Sequence, residues 1–205
     1  MSLSRKLLIV LLFAIITGPV RAQIYVFGGG HESYIRNNVL KNESPLFSWH
    51  TGGGARFHLS HDRENIVVNA EAAFVEKGYK QILGGKECTF HFSYLTYQFT
   101  VGYQAFPFLS VKGGLNTAVM IGANLKKWTK TYNVLDLGLV AGADVLENKP
   151  VGFYARAVYG LIPMVDYHDI DAQGNFNGKI HDLKNTCFMI GLRVTIHEKK
   201  IFLRH

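Results

Sequence analysis

Along most of the chain, apolar residues alternate with polar or small ones at every second position, which is the side-chain period of a β-strand and not of a helix. From Trp49 onward, Thr51, Gly53, Ala55, Phe57 and Leu59 alternate with His50, Gly52, Gly54, Arg56 and His58. Ile66, Val68, Ala70, Ala72 and Phe74 stand against Val67, Asn69, Glu71, Ala73 and Val75. The same pattern returns over Leu95 to Tyr103, Leu109 to Ile121, Leu135 to Ala143 and Val151 to Leu161. It is cleanest where Phe188, Ile190, Leu192, Val194 and Ile196 oppose Cys187, Met189, Gly191, Arg193, Thr195 and His197. With a short opening strand over Ile24 to Gly30, the pattern predicts eight strands. No apolar run after Ala22 is long enough for a transmembrane helix.

The connections alternate in length. Short ones fall at His61 to Asn65, Gln104 to Pro107 and Leu146 to Pro150; long ones fall at His31 to Leu46, Tyr79 to Cys88, Gly122 to Tyr132 and Pro163 to Asp182. Short turns on one rim and long loops on the other are the plan of an up-and-down membrane barrel, with the short rim periplasmic.

Volume decides which face is outside. The apolar set carries Trp49, Phe57, Phe74, Tyr97, Phe99, Tyr103, Phe153, Tyr159 and Phe188, more bulk than the narrow interior of an eight-stranded barrel accepts. The opposite face is small, with Gly52, Gly54, Gly102, Gly114, Gly138, Gly142, Gly152, Gly160 and Gly191. It also carries Arg56, Glu71, Lys112, Asp136, Asp144, Arg156 and Arg193, four cations and three anions from non-neighbouring strands. Charges inside a barrel are tolerable when paired, so these seven are expected to form a lumenal network that plugs the interior. The fold expected is all-β, an eight-stranded antiparallel up-and-down transmembrane barrel, in preference to a secreted soluble barrel. Trp49, Tyr103, Phe106, Phe108, Trp128 and Tyr132 are expected at its membrane interfaces.

Composition adds an export signal. Arg5 and Lys6 precede the apolar run Leu7 to Ile16, then Gly18, Pro19 and Val20-Arg21-Ala22, which reads as a signal peptide over residues 1–22 with the barrel domain over 23–205. The formal charge of +7 falls to 7 − 3 = +4 without Arg5, Lys6 and Arg21. That mild excess suits contact with outer-membrane lipids and lipopolysaccharide. No basic stripe interleaved with aromatics is present, so no nucleic-acid partner is expected. Cys88 and Cys187 are the only thiols, a pair that an oxidising compartment would allow to join.

Several segments resemble the PorT-family outer-membrane β-barrel proteins of Bacteroidota. Glu71-Ala72-Ala73-Phe74-Val75-Glu76-Lys77-Gly78-Tyr79 is similar to that family's third strand, with Lys-Gly-Tyr at the loop edge. Tyr94-Leu95-Thr96-Tyr97 is similar to the fourth, although Thr96 and Gln98 replace the family's glutamate and proline. Asp136-Leu137-Gly138-Leu139 and Ala155 to Leu161 fit the sixth and seventh. The chain then runs past its last strand as Glu198 to His205, where Phe202 stands in for a terminal aromatic residue. The resemblance implies a barrel fold and a bacterial outer-membrane location.

Nine histidines invite a search for chemistry. His58 and Ser60 share one strand face, as a lipid A deacylase requires, but that face is the lumen beside a short turn, away from the outer leaflet. Tyr167-His168-Asp169-Ile170-Asp171 with His181 and Asp182 offers imidazole and carboxylate, and reads as a solvated loop before it reads as a metal site. Gly28-Gly29-Gly30 has no helix after it and cradles no phosphate. The expectation is a non-enzymatic protein with no catalytic residues, metal or cofactor, whose long loops engage an unidentified extracellular or secretion partner or support the envelope. A narrow pore and an envelope enzyme acting on lipid A are the alternatives.

Overall fold

The computed structural model describes residues 20–36, 43–58, 65–124, 132–165, 167–170, 176–180 and 183–201. Its barrel strands are β1 (Val20–Arg36), β2 (Glu43–His58), β3 (Ile66–Leu83), β4 (Lys86–Phe106), β5 (Leu109–Ala123), β6 (Leu135–Val145), β7 (Val151–Pro163) and β10 (Lys184–Ile201). They close in the order β1, β10, β7, β6, β5, β4, β3, β2, with every pairing antiparallel. Between β7 and β10, β8 (Tyr167–Ile170) and β9 (Phe176–Ile180) form a separate hairpin. Closure through β1 and β10, from Val20 opposite Ile201 to Arg36 opposite Lys184, leaves the sheet no edge.

The strands are longer than a bilayer needs. About 10 tilted residues cross its hydrocarbon core, whereas β3 has 18 and β4 has 21. The excess stands on the rim away from the short turns. This corrects two expectations: Tyr79 to Cys88 is not a loop but the tip of a β3–β4 hairpin turning at Gly84 and Gly85, and much of His31 to Leu46 belongs to β1 and β2. Gly84 and Gly85 have φ of 57° and 79°, the left-handed conformations that a two-residue turn requires. Lys77, Gly78 and Tyr79, expected at a loop edge, lie buried within β3. The opening strand runs to Arg36, not Gly30.

Each strand turns outward the face that the alternation assigns to it. Ile24, Val26, Tyr97, Phe99, Val101, Val111, Leu115, Leu139, Phe153, Ile190, Leu192 and Val194 are all exposed. In water such a belt would be an aggregation surface; its closed circuit and the lack of a sheet edge make it the wall of a membrane-spanning barrel. Tyr103, Phe106 and Phe108 mark the short-turn rim, the last two stacked at 5.8 Å, and Trp49 stacks on Phe74 at 5.2 Å on the wall. Tyr132 is not at the membrane interface but packs on Phe92 at 4.8 Å, inside. Trp128, Ser60, Asp171, His181, Asp182 and Phe202 lie outside the described residues.

The interior has two tiers. From the short-turn rim it is charged, and at mid-barrel the charges give way to a first apolar cluster that includes Phe27, Val75, Val140, Val158, Cys187 and Met189. Towards the long rim, Ile35, Tyr79, Phe92, Tyr94, Ala118, Met164, Val165 and Leu183 form an apolar cluster.

Candidate functional site

The polar tier is built by inward positions of seven strands and one turn. At the short-turn mouth Asp144 of β6 lies between Lys112 Nζ at 2.8 Å and the Arg193 guanidinium, with Arg56 Nη2 at 3.6 Å. Glu147, from the turn after β6, sends its carboxylate back into the barrel: Oε1 is 2.6 Å from both Lys112 Nζ and Arg56 Nη2. Its main-chain oxygen accepts from Arg56 Nη1 at 2.9 Å and Arg193 Nη2 at 3.1 Å. Burial alone would raise the Glu147 carboxyl, but Lys112 and Arg56 outweigh it and hold the group below its ordinary 4.5.

Above the mouth, Arg156 of β7 grips Glu71 of β3 by donating from both terminal guanidinium nitrogens, Nη1 and Nη2, and Tyr25 donates its hydroxyl to Glu71 Oε1 at 2.5 Å. Arg156 Nη2 is 4.0 Å from Asp144 Oδ1, which joins this pair to the mouth. Tyr154 stacks under Arg156 at 4.5 Å, and its hydroxyl meets His50 Nε2 at 2.5 Å. His50 Nδ1 faces His31 Nδ1 at 3.3 Å, and His31 Nε2 reaches the Glu76 carbonyl at 2.6 Å.

Six of the seven sequence-predicted charges therefore meet: Arg56, Glu71, Lys112, Asp144, Arg156 and Arg193. Asp136 does not join them. It lies nearer the long rim, bonded by Lys77 Nζ at 2.8 Å and Asn185 Nδ2 at 3.1 Å. The sequence reading missed Lys77, although it continues the inward series Glu71, Ala73, Val75. It also missed Tyr25, His31 and His50 as network members, which share inward positions of β1 and β2. Glu147 had no such signal, because alternation assigns no face to a residue in a turn.

Glycines make the room. A Cβ at Gly152 would stand 2.8 Å from Arg193 Nη2, and one at Gly191 would stand 2.5 Å from the Tyr154 hydroxyl oxygen. Within the filling lies a cavity of about 20 Å³ lined by Phe27, His50, Glu71, Tyr154, Arg156 and Met189 among others, space for a water molecule. Cys88 and Cys187 are both free, the latter buried on the lumenal face of β10. His58 ends β2 at the short-turn rim. No group of three or more histidine, cysteine or acidic side chains suited to a metal occurs among the described residues.

No protein-family model matches the chain, and no curated protein matches it. Solved structures similar in overall form include Ail, the attachment invasion locus protein of Yersinia pestis, at 12% identity and a TM-score of 0.47 over 87% of this chain and 100% of that one. Neisserial surface protein A is similar at 13% identity and 0.48 over 85% and 99%. The outer membrane protein OprG of Pseudomonas aeruginosa gives 13% and 0.39 over 87% and 94%. The barrel stands on its own strand pairing and its wall on its own apolar belt, independently of these neighbours.

Proposed function

We propose that this chain is exported through a signal peptide over residues 1–22, whose removal trims Val20 to Ala22 from β1 and leaves closure to begin at Gln23 opposite Glu198, and resides in a bacterial outer membrane as a closed, non-enzymatic barrel whose outward-projecting strands and loops do its work. The observation that carries this reading is the inverted distribution of side chains. The large apolar residues face out, while Arg56, Glu71, Lys112, Asp144, Arg156 and Arg193 are buried and paired within. That inversion suits lipid outside, and a lumen crossed by ion pairs suits a plug better than a pore.

The long rim is where recognition belongs, since strand ends beyond the bilayer are presented on a rigid base. Its described surface includes the β3–β4 tip, with Ile82 exposed and Lys80 paired to Glu87 at 2.9 Å. Lipopolysaccharide and outer-membrane lipids are the expected surroundings of the wall, and the partner of the tips is an extracellular or secretion component. The likeness of the Glu71 to Glu76 segment to the third strand of the PorT-family barrels supports a place among them, while Lys77-Gly78-Tyr79 departs from that strand by lying within β3 instead of at a loop edge.

Two measurements test the reading. The protein should fractionate with outer membranes and migrate faster on a gel unboiled than boiled; recovery from the soluble periplasm would refute it. Purified protein in a planar bilayer should show no steady conductance, and a stable open level would replace the plug with a pore.

A further inference from the structure

The turn after β6 is unusual in two respects that point to the same site. Leu146 is the only described non-glycine residue with positive φ, at 58°, a conformation that costs a leucine energy and persists only where its surroundings enforce it. What it achieves is to fold the next residue inward, so that Glu147 is 3% exposed although it lies in a surface turn. Around it stand three cations, Arg56, Lys112 and Arg193, and the other anion among them is Asp144. Hydrogen-bonding capacity is left over on both sides: ion pairs apart, Arg56 Nη2, Arg193 Nε and the Ser110 hydroxyl, on the residue opposite Asp144 across β5 and β6, are buried without hydrogen-bond partners, as are Asp144 Oδ1 and Glu147 Oε1.

The mouth thus has the composition of a receptor for an anionic group, with a carboxylate of the chain itself in place. We propose that the short-turn mouth is a carboxylate-binding pocket formed by Arg56 and Lys112, with Arg193 beside it on Asp144 and the Glu147 main chain, occupied at rest by the Glu147 carboxylate and available to an acidic peptide side chain when the Leu146–Pro150 turn swings out. The turn is suited to release. Two backbone bonds tie its ends, Leu146 N–H to the Phe108 carbonyl at 2.7 Å and Thr195 N–H to the Pro150 carbonyl at 2.8 Å, and release also breaks the bonds from Arg56 and Arg193 to the Glu147 carbonyl; Asn148, Lys149 and Pro150 are exposed. Glu147 presents a single carboxylate on a short stem, which is the chemistry of an aspartate or glutamate side chain and not of a phosphodiester. Gly152 fixes how closely the turn can lie, since a Cβ there would meet Arg193 Nη2 at 2.8 Å and the Leu146 and Val145 carbonyls at 3.0 Å.

The test is rescue by an exogenous carboxylate. Full-length barrel refolded in detergent is melted at pH 7 in sodium acetate and in sodium chloride at equal ionic strength. The Glu147→Ala variant should melt several degrees below wild type in chloride and regain at least half of that loss in acetate. Wild type, with its pocket filled, should not distinguish the salts, and Glu147→Ala with Lys112→Met should lose the acetate preference. An acetylated, amidated glutamate peptide should act as acetate does at lower concentration, and inorganic phosphate should act less. Equal melting of Glu147→Ala in the two salts would overturn the proposal, as would a Glu147→Ala variant as stable as wild type. Should Glu147→Ala not fold, Gly152→Ala carries the test, because it displaces the turn with every charge retained. An acetate-specific rise in its melting temperature is expected, and none would overturn the pocket.

Discussion

The two tiers of the lumen solve the same problem by opposite means. Near the short turns, space between strands is filled by ion pairs seated over glycines, as with Arg156 and Glu71 or Arg193 and Asp144. Towards the long rim it is filled mainly by rings and aliphatic chains, with Tyr79 stacked on Phe90 at 4.6 Å and Phe92 buried among Tyr94, Met164 and Leu183, around the buried pair of Lys77 and Asp136. The lower tier lies where lipid already covers the outside, so an apolar interior there would leave the strands nearly uniform in hydrophobicity and their register weakly specified. Towards the long rim the outer face is mixed, with Lys80, His91 and Glu32 beside exposed Phe47, Ile82 and Ile121, and the interior is packed with apolar side chains around a buried ion pair.

The largest effect expected from breaking this contrast comes from stranding a charge in the lower tier. Glu71→Ala leaves Arg156 buried without its carboxylate and should cost about 3 to 5 kcal/mol in reversible unfolding. Replacing both partners, as Glu71→Gln with Arg156→Met, should recover more than half of that loss; a double variant worse than the single would show that the pair is not the unit. In the upper tier the response should follow volume instead. Phe92→Ala is expected to cost about 3 kcal/mol, while Phe92→Leu, which stays apolar, costs much less. If Phe92→Leu proves as damaging as Phe92→Ala, the upper cluster is not a packed core.

A pH series sharpens the comparison at the mouth. Because Glu147 is held below its ordinary 4.5 in the folded state, its charge contributes stability that is fully present above the unfolded value and is lost as pH falls through the folded one. The gap in melting temperature between wild type and Glu147→Gln should be constant from pH 7 to about 5 and close below the usual carboxylate range. A gap that widens on acidification would reverse the sign and exclude the ion pairs as its source. The smallest effect is expected at the hairpin tip. There Lys80 and Glu87 form an exposed pair, and Glu87→Ala should change stability by less than ~0.5 kcal/mol.

The sequence made the lower tier legible and the upper one obscure, for the same physical reason. Within the bilayer each strand has one uniformly apolar face, so Arg56, Glu71 and Arg193 declare their direction by parity. Beyond it, Lys80, His91 and Glu32 bring polarity to the outer face, and the mixture around Tyr79 and Phe92 resembles a loop. Asp136 was recognised as inward-facing, but its partner Lys77 stands at the boundary where the reading passed from strand to loop. Turns carry no parity at all, so a tag at Glu147, an apparently external site, would disrupt the lumen; Asn148 is the exposed alternative.

The central claim, that lipid covers one face of each strand and a closed polar interior the other, is tested most directly by a spin label carried in the acyl region of the surrounding lipid. Leu139 and Val140 are neighbours in β6, with exposures of 47% and 4%. In methyl spectra of the protein in nanodiscs, a doxyl-labelled lipid should bleach Leu115, Leu139, Ile190 and Leu192 and leave Val140, Val158 and Met189 sharp. Equal bleaching of Leu139 and Val140, or protection of the outward set, would contradict the account.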